Sequence, residues 1–254
     1  MPYMDVNGLR TQYEAKGEGT PVLILPGWMS NIEAMRPVVN AVSKIGMRAI
    51  ALDFPGFGGS DEPPEAWGVP EYAAFTRAFV KQMGIVGCDV VCHSFGGRIT
   101  ILLASEEKAL FNRLVLIDAA GIRPKRGIKW YVRTYAYKTL KLFCRIPWLE
   151  RTFRLNEKRK NKGSGDYQAL KSDLMRAVFV KVVNLDLTDR LPRVANPTLL
   201  IWGSEDQMTP LYMGELMEKR IPDAGLAVFE GAGHYSYADQ YSRFCAVLKA
   251  FFQA

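Results

Sequence analysis

The stretch DVVCHSFGGRIT, residues 89–100, joins a short apolar run to a segment of helical period through a serine set among small residues. A continuous apolar run suits a strand buried on both faces, and the two glycines after Phe95 allow a helix to pack closely behind it. A serine on such a strand-to-helix turn projects its hydroxyl above the sheet edge. The helix N-terminus behind it places partial positive charge near a developing anion. Bulky neighbours would collide with the strand and helix. Gly96 avoids this, and Cys92 is a small substitute for the glycine usual two positions before the nucleophile.

The same alternation extends to both sides of this stretch. MPYMDV and GLRTQYEA around Asn7-Gly8 read as a hairpin. PVLILP, MRAIALD, DVVC, NRLVLIDAA, PTLLIWG and GLAVFEG read as buried-type strands. Between and after them, IEAMRPVVNAVSKIG, VPEYAAFTRAFVKQMGI, GGRITILLASEEKA, PLYMGELMEKR and YSRFCAVLKAFFQ carry helical period. Apolar strands alternating with helices predict an α/β fold, a mainly parallel sheet covered on both faces. After Ala120 the rhythm breaks. Gly127 to Cys144 reads as an amphipathic helix, with Ile128, Tyr131, Val132, Tyr135, Leu142 and Phe143 on one face. Arg126, Lys129, Arg133 and Lys141 lie on the other. A loop, NKGSGDY, then precedes a second helical stretch, LKSDLMRAVFVKVVN. The expected organisation is a core of 1–120 and 187–254 with a helical cap inserted at 121–186.

Composition narrows the function classes. The chain has 254 residues, 48% of them hydrophobic, enough for one compact domain with an insertion. Four cysteines and two histidines suit neither a disulfide framework nor a His-rich metal site, so no metal and no cofactor are expected. The N-terminus has no apolar h-region and no run of about 18 apolar residues occurs, which predicts a cytoplasmic protein. The net charge of +7 is uneven: Ala119 to Arg190 holds 18 Lys+Arg against 6 Asp+Glu, the remainder 15 against 20. The basic segment reads as a solvated face beside an apolar lid, as an attractor of anionic substrates, or as a weak contact with anionic membrane through a helix bearing Trp130 and Tyr137. No nucleic-acid motif accompanies the charge.

A nucleophilic serine needs a base, and the base needs an orienting acid. His93 adjoins Ser94, but neighbouring side chains at a strand end diverge, so it is read as a partly buried histidine bonded to backbone or solvent. His234 lies in EGAGHYSYAD, just past the last strand, on the edge that Ser94 faces. WGSED, past PTLLI, offers Glu205 and Asp206, with Asp206 the better candidate acid. Ser94, Asp206 and His234 follow the chain order of one serine-hydrolase architecture. Asp118, at another strand end, is read as a structural carboxylate and fallback acid. Arg98 is expected to pair with Asp53. GFGGSD (56–61) lacks the G-x-G-x-x-G spacing and leads into no helix start, which argues against a dinucleotide loop.

LPGW (25–28), DFPGFGGSD (53–61), CHSFGG (92–97), WGSEDQMTP (202–210) and GAGHYSYAD (231–239) together resemble the α/β-hydrolase superfamily over nearly the whole chain. The resemblance implies an eight-stranded, mostly parallel sheet flanked by helices, with a helical cap inserted after the sixth strand. It implies a triad of Ser94, His234 and Asp206, and an oxyanion hole formed by the N–H groups of Phe95 and Trp28. Pro26 stands where the family's pattern has histidine, which removes a side chain that usually braces this loop. Substrate contacts are expected from Gly27, Met29, Trp130, Tyr131, Tyr135 and Tyr235. A nucleophilic serine argues against the dehalogenase and epoxide-hydrolase branches, which use aspartate. The expected activity is hydrolysis of a small hydrophobic carboxylic ester. C–C bond hydrolysis of diketone-type substrates, thioester cleavage and acyl transfer remain open to the same triad. A non-catalytic ligand receptor on the same fold is the alternative from another class.

Overall fold

A computed structural model describes residues 1–124, 169–170 and 172–253. The chain divides into two compact units, Met1–Arg123 with Val180–Ala254 and Pro124–Phe179. The sequence-predicted helix at 127–144, the NKGSGDY loop and the side chains of Trp130, Tyr131, Tyr135 and Tyr137 lie outside the described residues.

The first unit is built on one eight-stranded sheet. Its strands are β1 (Tyr3–Val6), β2 (Leu9–Lys16), β3 (Pro21–Leu25), β4 (Arg48–Leu52), β5 (Cys88–His93), β6 (Phe111–Ile117), β7 (Thr198–Gly203) and β8 (Ala224–Phe229). Their order across the sheet is β1-β2-β4-β3-β5-β6-β7-β8. β1 with β2 and β2 with β4 are antiparallel, and every later pair is parallel. Asn7 and Gly8 take φ of 54° and 82°, the positive pair a tight hairpin turn requires, and Val6 lies opposite Leu9. All six residues of β5 are buried: Val90, Val91 and Cys92 form the apolar run expected of a central parallel strand, and the buried Asp89 is paired with Arg113 at 2.8 Å.

The helices cover both faces. α1 (Arg36–Lys44) and α7 (Tyr241–Gln253) bury Val38, Val42, Phe244 and Leu248 against Val22, Ile24, Val91 and Ile201. α3 (Phe95–Glu106) and α5 (Tyr212–Arg220) lie on the opposite face, where Gly96 meets Leu25 and Gly214 meets the ring of Trp202. α2 (Val69–Gln82) packs there too, with Tyr72 edge-on to Phe54 and Phe95. α4 (Asp173–Asn184) begins at Ser172, whose hydroxyl accepts the Met175 N–H as a cap. α6 (Ser236–Asp239) is a single turn.

One boundary departs from the sequence pattern. Apolar periodicity predicts a helix from Ile32, yet α1 starts at Arg36, with a proline in its first turn. Pro37 has no N–H to give to a preceding turn and is suited to the start of a helix, so the segment ahead of it forms turns.

Close approach of α3 to β3 depends on Gly96. A Cβ there would lie 2.6 Å from the Leu25 carbonyl oxygen and 2.9 Å from Leu25 Cβ. Backbone at that distance cannot swing aside, so Gly96→Ala is expected to destabilise the protein by about 1–3 kcal/mol, the range of overpacking substitutions. Urea unfolding measures this, and an unchanged midpoint would contradict it.

Candidate active site

β3, β5, β6, β7 and β8 all end on one edge of the sheet, and the loops leaving them carry the candidate residues. Ser94 follows β5 with φ 47° and ψ −107°, a left-handed conformation that is strained for any residue with a Cβ. Hydrogen bonds on every side hold it there. The Ser94 N–H donates to the Ile117 carbonyl at 3.0 Å, and the Ser94 carbonyl accepts from Gly97 and Ala120, each at 2.9 Å. Cys92 is buried and its thiol lies 3.6 Å from the Val115 carbonyl. Burial pushes that thiol up to about 12, so it packs as a small neutral side chain.

His234 and Asp206 converge on this turn. His234 Nε2 is 3.0 Å from Ser94 Oγ, and His234 Nδ1 is 2.7 Å from Asp206 Oδ2. A carboxylate only accepts, so Nδ1 carries the proton and Nε2 presents its lone pair to the serine hydroxyl. Glu205 is exposed and Asp206 is buried, which decides between the two acids of WGSED. Asp206 Oδ1 accepts the N–H groups of Met208 and Thr209 at 2.7 and 3.0 Å, and Oδ2 also accepts the Thr209 hydroxyl at 2.7 Å. Burial alone would raise the pKa of this carboxyl. The hydrogen bonds from His234 and Thr209 and the charge of His234 outweigh it and hold the group below its ordinary value.

Asp118 does not compete for the histidine. Its carboxylate accepts the Gly203 N–H, the Ser236 N–H and the Ser236 hydroxyl at 2.8, 3.1 and 2.7 Å. It ties the end of β6 to the two loops that carry Asp206 and His234. Burial pushes it up to about 7, against the opposing pull of those three donors. The expected Arg98–Asp53 pair does not form. Arg98 donates to the Leu185 carbonyl, while Asp53 accepts the N–H groups of Ile32 and Gly59 at 2.7 and 2.9 Å. The glycine-rich GFGGSD segment folds round that carboxylate: a Cβ on Gly58 would fall 1.9 Å from Asp53 Oδ2. Asp53 thus anchors both the Ile32 end of the loop after β3 and the GFGGSD loop.

The loop after β3 lies against the start of α3. The Pro26 carbonyl accepts the Gly96 N–H at 3.1 Å, so main chain braces the loop at the position where the side chain departs from the family's pattern. The rings of Trp28 and Phe95 meet edge to face at 5.4 Å, and Phe57 and Phe54 extend the aromatic contact behind them. Phe95 is the first residue of α3, so its N–H has no carbonyl within the helix to bond. Met29 has φ 56° and is exposed, and Tyr235 is half exposed with its ring stacked on His93 at 5.2 Å. Gly27 is buried; a Cβ there would meet His93 Nδ1 at 2.8 Å and Ser94 Cβ at 3.4 Å. It allows the loop to approach the nucleophile turn.

Two supports escaped the sequence reading. Thr209 holds Asp206 from three positions downstream, an Asp-x-x-Thr spacing that the side-chain-to-backbone turn rule could have flagged. Asp239 accepts the Gly233 N–H at 2.8 Å across the His234 loop, and no local pattern marks it. Among the described residues no group of three His, Cys, Asp or Glu is placed to hold a metal ion, and no helix is long and apolar enough to cross a membrane.

The model of the alpha/beta hydrolase fold family matches residues 20–241. A 2-hydroxy-6-oxo-6-phenylhexa-2,4-dienoate hydrolase of Comamonas testosteroni is 27% identical over 264 residues, covering 94% of this chain and 91% of that protein. Among solved structures, a meta-cleavage product hydrolase from Pseudomonas fluorescens IP01 superposes with a TM-score of 0.74 at 24% identity, covering 100% of this chain and 97% of the other. An esterase from Exiguobacterium antarcticum superposes with a TM-score of 0.78 at 22% identity, covering 99% of each chain. At these identities the two structures establish likeness of fold.

Proposed function

We propose that this chain, which belongs to the alpha/beta hydrolase fold family, is a serine hydrolase that cleaves a carboxylic ester of a hydrophobic small molecule through an acyl-enzyme. The observation that carries the reading is the unbroken line of hydrogen bonds from Ser94 Oγ through the imidazole of His234 to Asp206. His234 Nε2 takes the hydroxyl proton as Oγ attacks the acyl carbon. Asp206 keeps the other nitrogen protonated and steadies the imidazolium. The N–H groups of Phe95 and Trp28 receive the oxyanion, and the partial positive end of α3 adds to them. His234 passes its proton to the leaving alkoxide. It then takes a proton from a water that attacks the acyl carbon, and returns that proton to Ser94 Oγ as the acyl–Oγ bond breaks and the acid leaves.

The aromatic side chains Trp28, Phe57 and Phe95, with exposed Met29 and Tyr235, favour an apolar acyl or aryl group. A second reading, hydrolysis of a C–C bond beside a carbonyl, draws support from the relative named as a dienoate hydrolase. There the leaving group is a carbon that must depart as a stabilised enolate and take the proton of His234.

The two readings separate on a substrate panel. Short p-nitrophenyl acyl esters and a 2-hydroxy-6-oxo-dienoate are compared by kcat/KM under one set of conditions. The ester reading expects the esters to be preferred by about tenfold or more, a difference of about 1.4 kcal/mol in transition-state binding. Preference for the dienoate moves the assignment to C–C hydrolysis. Absence of turnover on both, with no labelling by a fluorophosphonate, overturns the enzyme reading and leaves a ligand receptor.

A further inference from the structure

His93 is buried beside the triad, yet the reaction as written does not use it. Its Nε2 lies 2.8 Å from the main-chain carbonyl oxygen of His234. A carbonyl can only accept, so Nε2 carries the proton and Nδ1 is a bare lone pair. Nδ1 is turned towards Gly27 and, among the described residues, has no hydrogen-bond partner. The ring stacks on Tyr235, meets Tyr237 edge-on at 5.4 Å, and lies 4.8 Å from the ring of His234. Burial first, and the charge of His234 second, lower its pKa to about 3, so the ring stays neutral while His234 becomes an imidazolium.

The loop carrying His234 has other anchors. Gly233 is bound to Asp239 within the same loop and its single-turn helix, and Ser236 is bound to Asp118, which lies between Ile117 and Ala120, the residues that bond the Ser94 main chain. The Asp118 link thus reaches the nucleophile turn through the end of β6. His93 links the two directly, because it is the residue before Ser94 and its side chain grips the peptide of His234.

We propose that His93 is a positioning residue: its Nε2–H bond to the His234 carbonyl couples the nucleophile turn to the base loop and sets the Ser94–His234 separation. The inference rests on the reading of Ser94 and His234 as nucleophile and base. A neutral donor serves this role, whereas a cation there would oppose the imidazolium that must form 4.8 Å away. A shift of about 1 Å between nucleophile and base can cost on the order of a hundredfold in rate, so one hydrogen bond at this point carries kinetic weight.

The test compares His93→Phe, which keeps a flat ring and its stack but no donor, with His93→Gln, whose amide nitrogen extends towards the position of Nε2. Activity on a p-nitrophenyl ester is expressed per site titrated with a fluorophosphonate, so loss of folded protein does not enter. The phenylalanine variant is expected to show kcat lowered about 10- to 100-fold with KM little changed, and labelling slowed in parallel. The glutamine variant should recover most of that loss. If the phenylalanine variant does not fold, His93→Leu carries the same expectation. Wild-type kcat per titrated site in the donor-free variant, or a glutamine variant no faster than it, overturns the proposal. Ser94→Ala, whose activity is expressed per mole of folded protein because it has no site to titrate, separates the two levels. If it keeps full activity, the reading of the nucleophile fails; if it is inactive while the donor-free variant matches wild type, only the role of His93 fails.

Discussion

Ser94→Ala is expected to lower kcat by on the order of 10⁵-fold or more while leaving the fold and substrate binding in place. Alanine keeps the Cβ, so the turn at φ 47° bears the same backbone strain, and the main-chain bonds to Ile117, Gly97 and Ala120 do not involve the hydroxyl. Everything lost is the attacking oxygen. Residual rate above that of water alone would come from the oxyanion donors and the apolar surroundings, which the substitution leaves untouched. Steady-state kinetics and thermal unfolding together check this. A variant that keeps more than about a tenth of wild-type kcat would mean that another group attacks the carbonyl.

Asp206→Asn is expected to cost about 10⁴-fold in kcat and to lower stability near neutral pH, where the depressed pKa of Asp206 contributes. The amide oxygen can still accept the N–H groups of Met208 and Thr209 that now bond Oδ1. Its NH₂ group then faces His234 Nδ1, where Oδ2 stands at 2.7 Å. A donor there forces the imidazole proton onto Nε2, so the nitrogen 3.0 Å from Ser94 Oγ can no longer take the serine proton. The pH dependence has a definite sign. Because the folded pKa of Asp206 is depressed, its stabilising contribution is present above the unfolded value and is lost as pH falls through the folded one. Denaturation midpoints from pH 7 down to pH 3 should fall less steeply in the asparagine variant. Equal slopes would contradict the lowered pKa of Asp206.

The legible parts of the molecule are those governed by local rules. β5 is readable from the apolar run Val90–Cys92 at its centre, and the hairpin at Asn7-Gly8 because its turn needs two residues of positive φ. Gly96 marks the nucleophile turn because a Cβ there would meet the Leu25 main chain, and Cys92 marks it as a small buried side chain. The candidate residues Ser94, Asp206 and His234 sit at strand ends that a parallel sheet must bring to one edge, so chain order carried real information about position.

The parts that escaped depend on partners distant in sequence. Arg98 and Asp53 look like a matched pair, but side-chain reach is set by the tertiary fold. Asp53 is consumed by two N–H groups of neighbouring loops, and Arg98 turns to the Leu185 carbonyl. The need for glycine at position 27 comes from the His93 ring, which a Cβ there would meet at 2.8 Å. His93 reads as a partly buried histidine bonded to backbone or solvent, and it does bond backbone; that the carbonyl is the one of His234 on another loop has no signature in the residues around it.

The most direct measurement is the mass and site of the covalent adduct formed with a fluorophosphonate. Intact-protein mass spectrometry should show one phosphonyl group per chain, and peptide mapping should place it on Ser94, with Ser94→Ala unlabelled. An adduct on any other residue, or labelling that persists in Ser94→Ala, would contradict the assignment of Ser94 as the nucleophile.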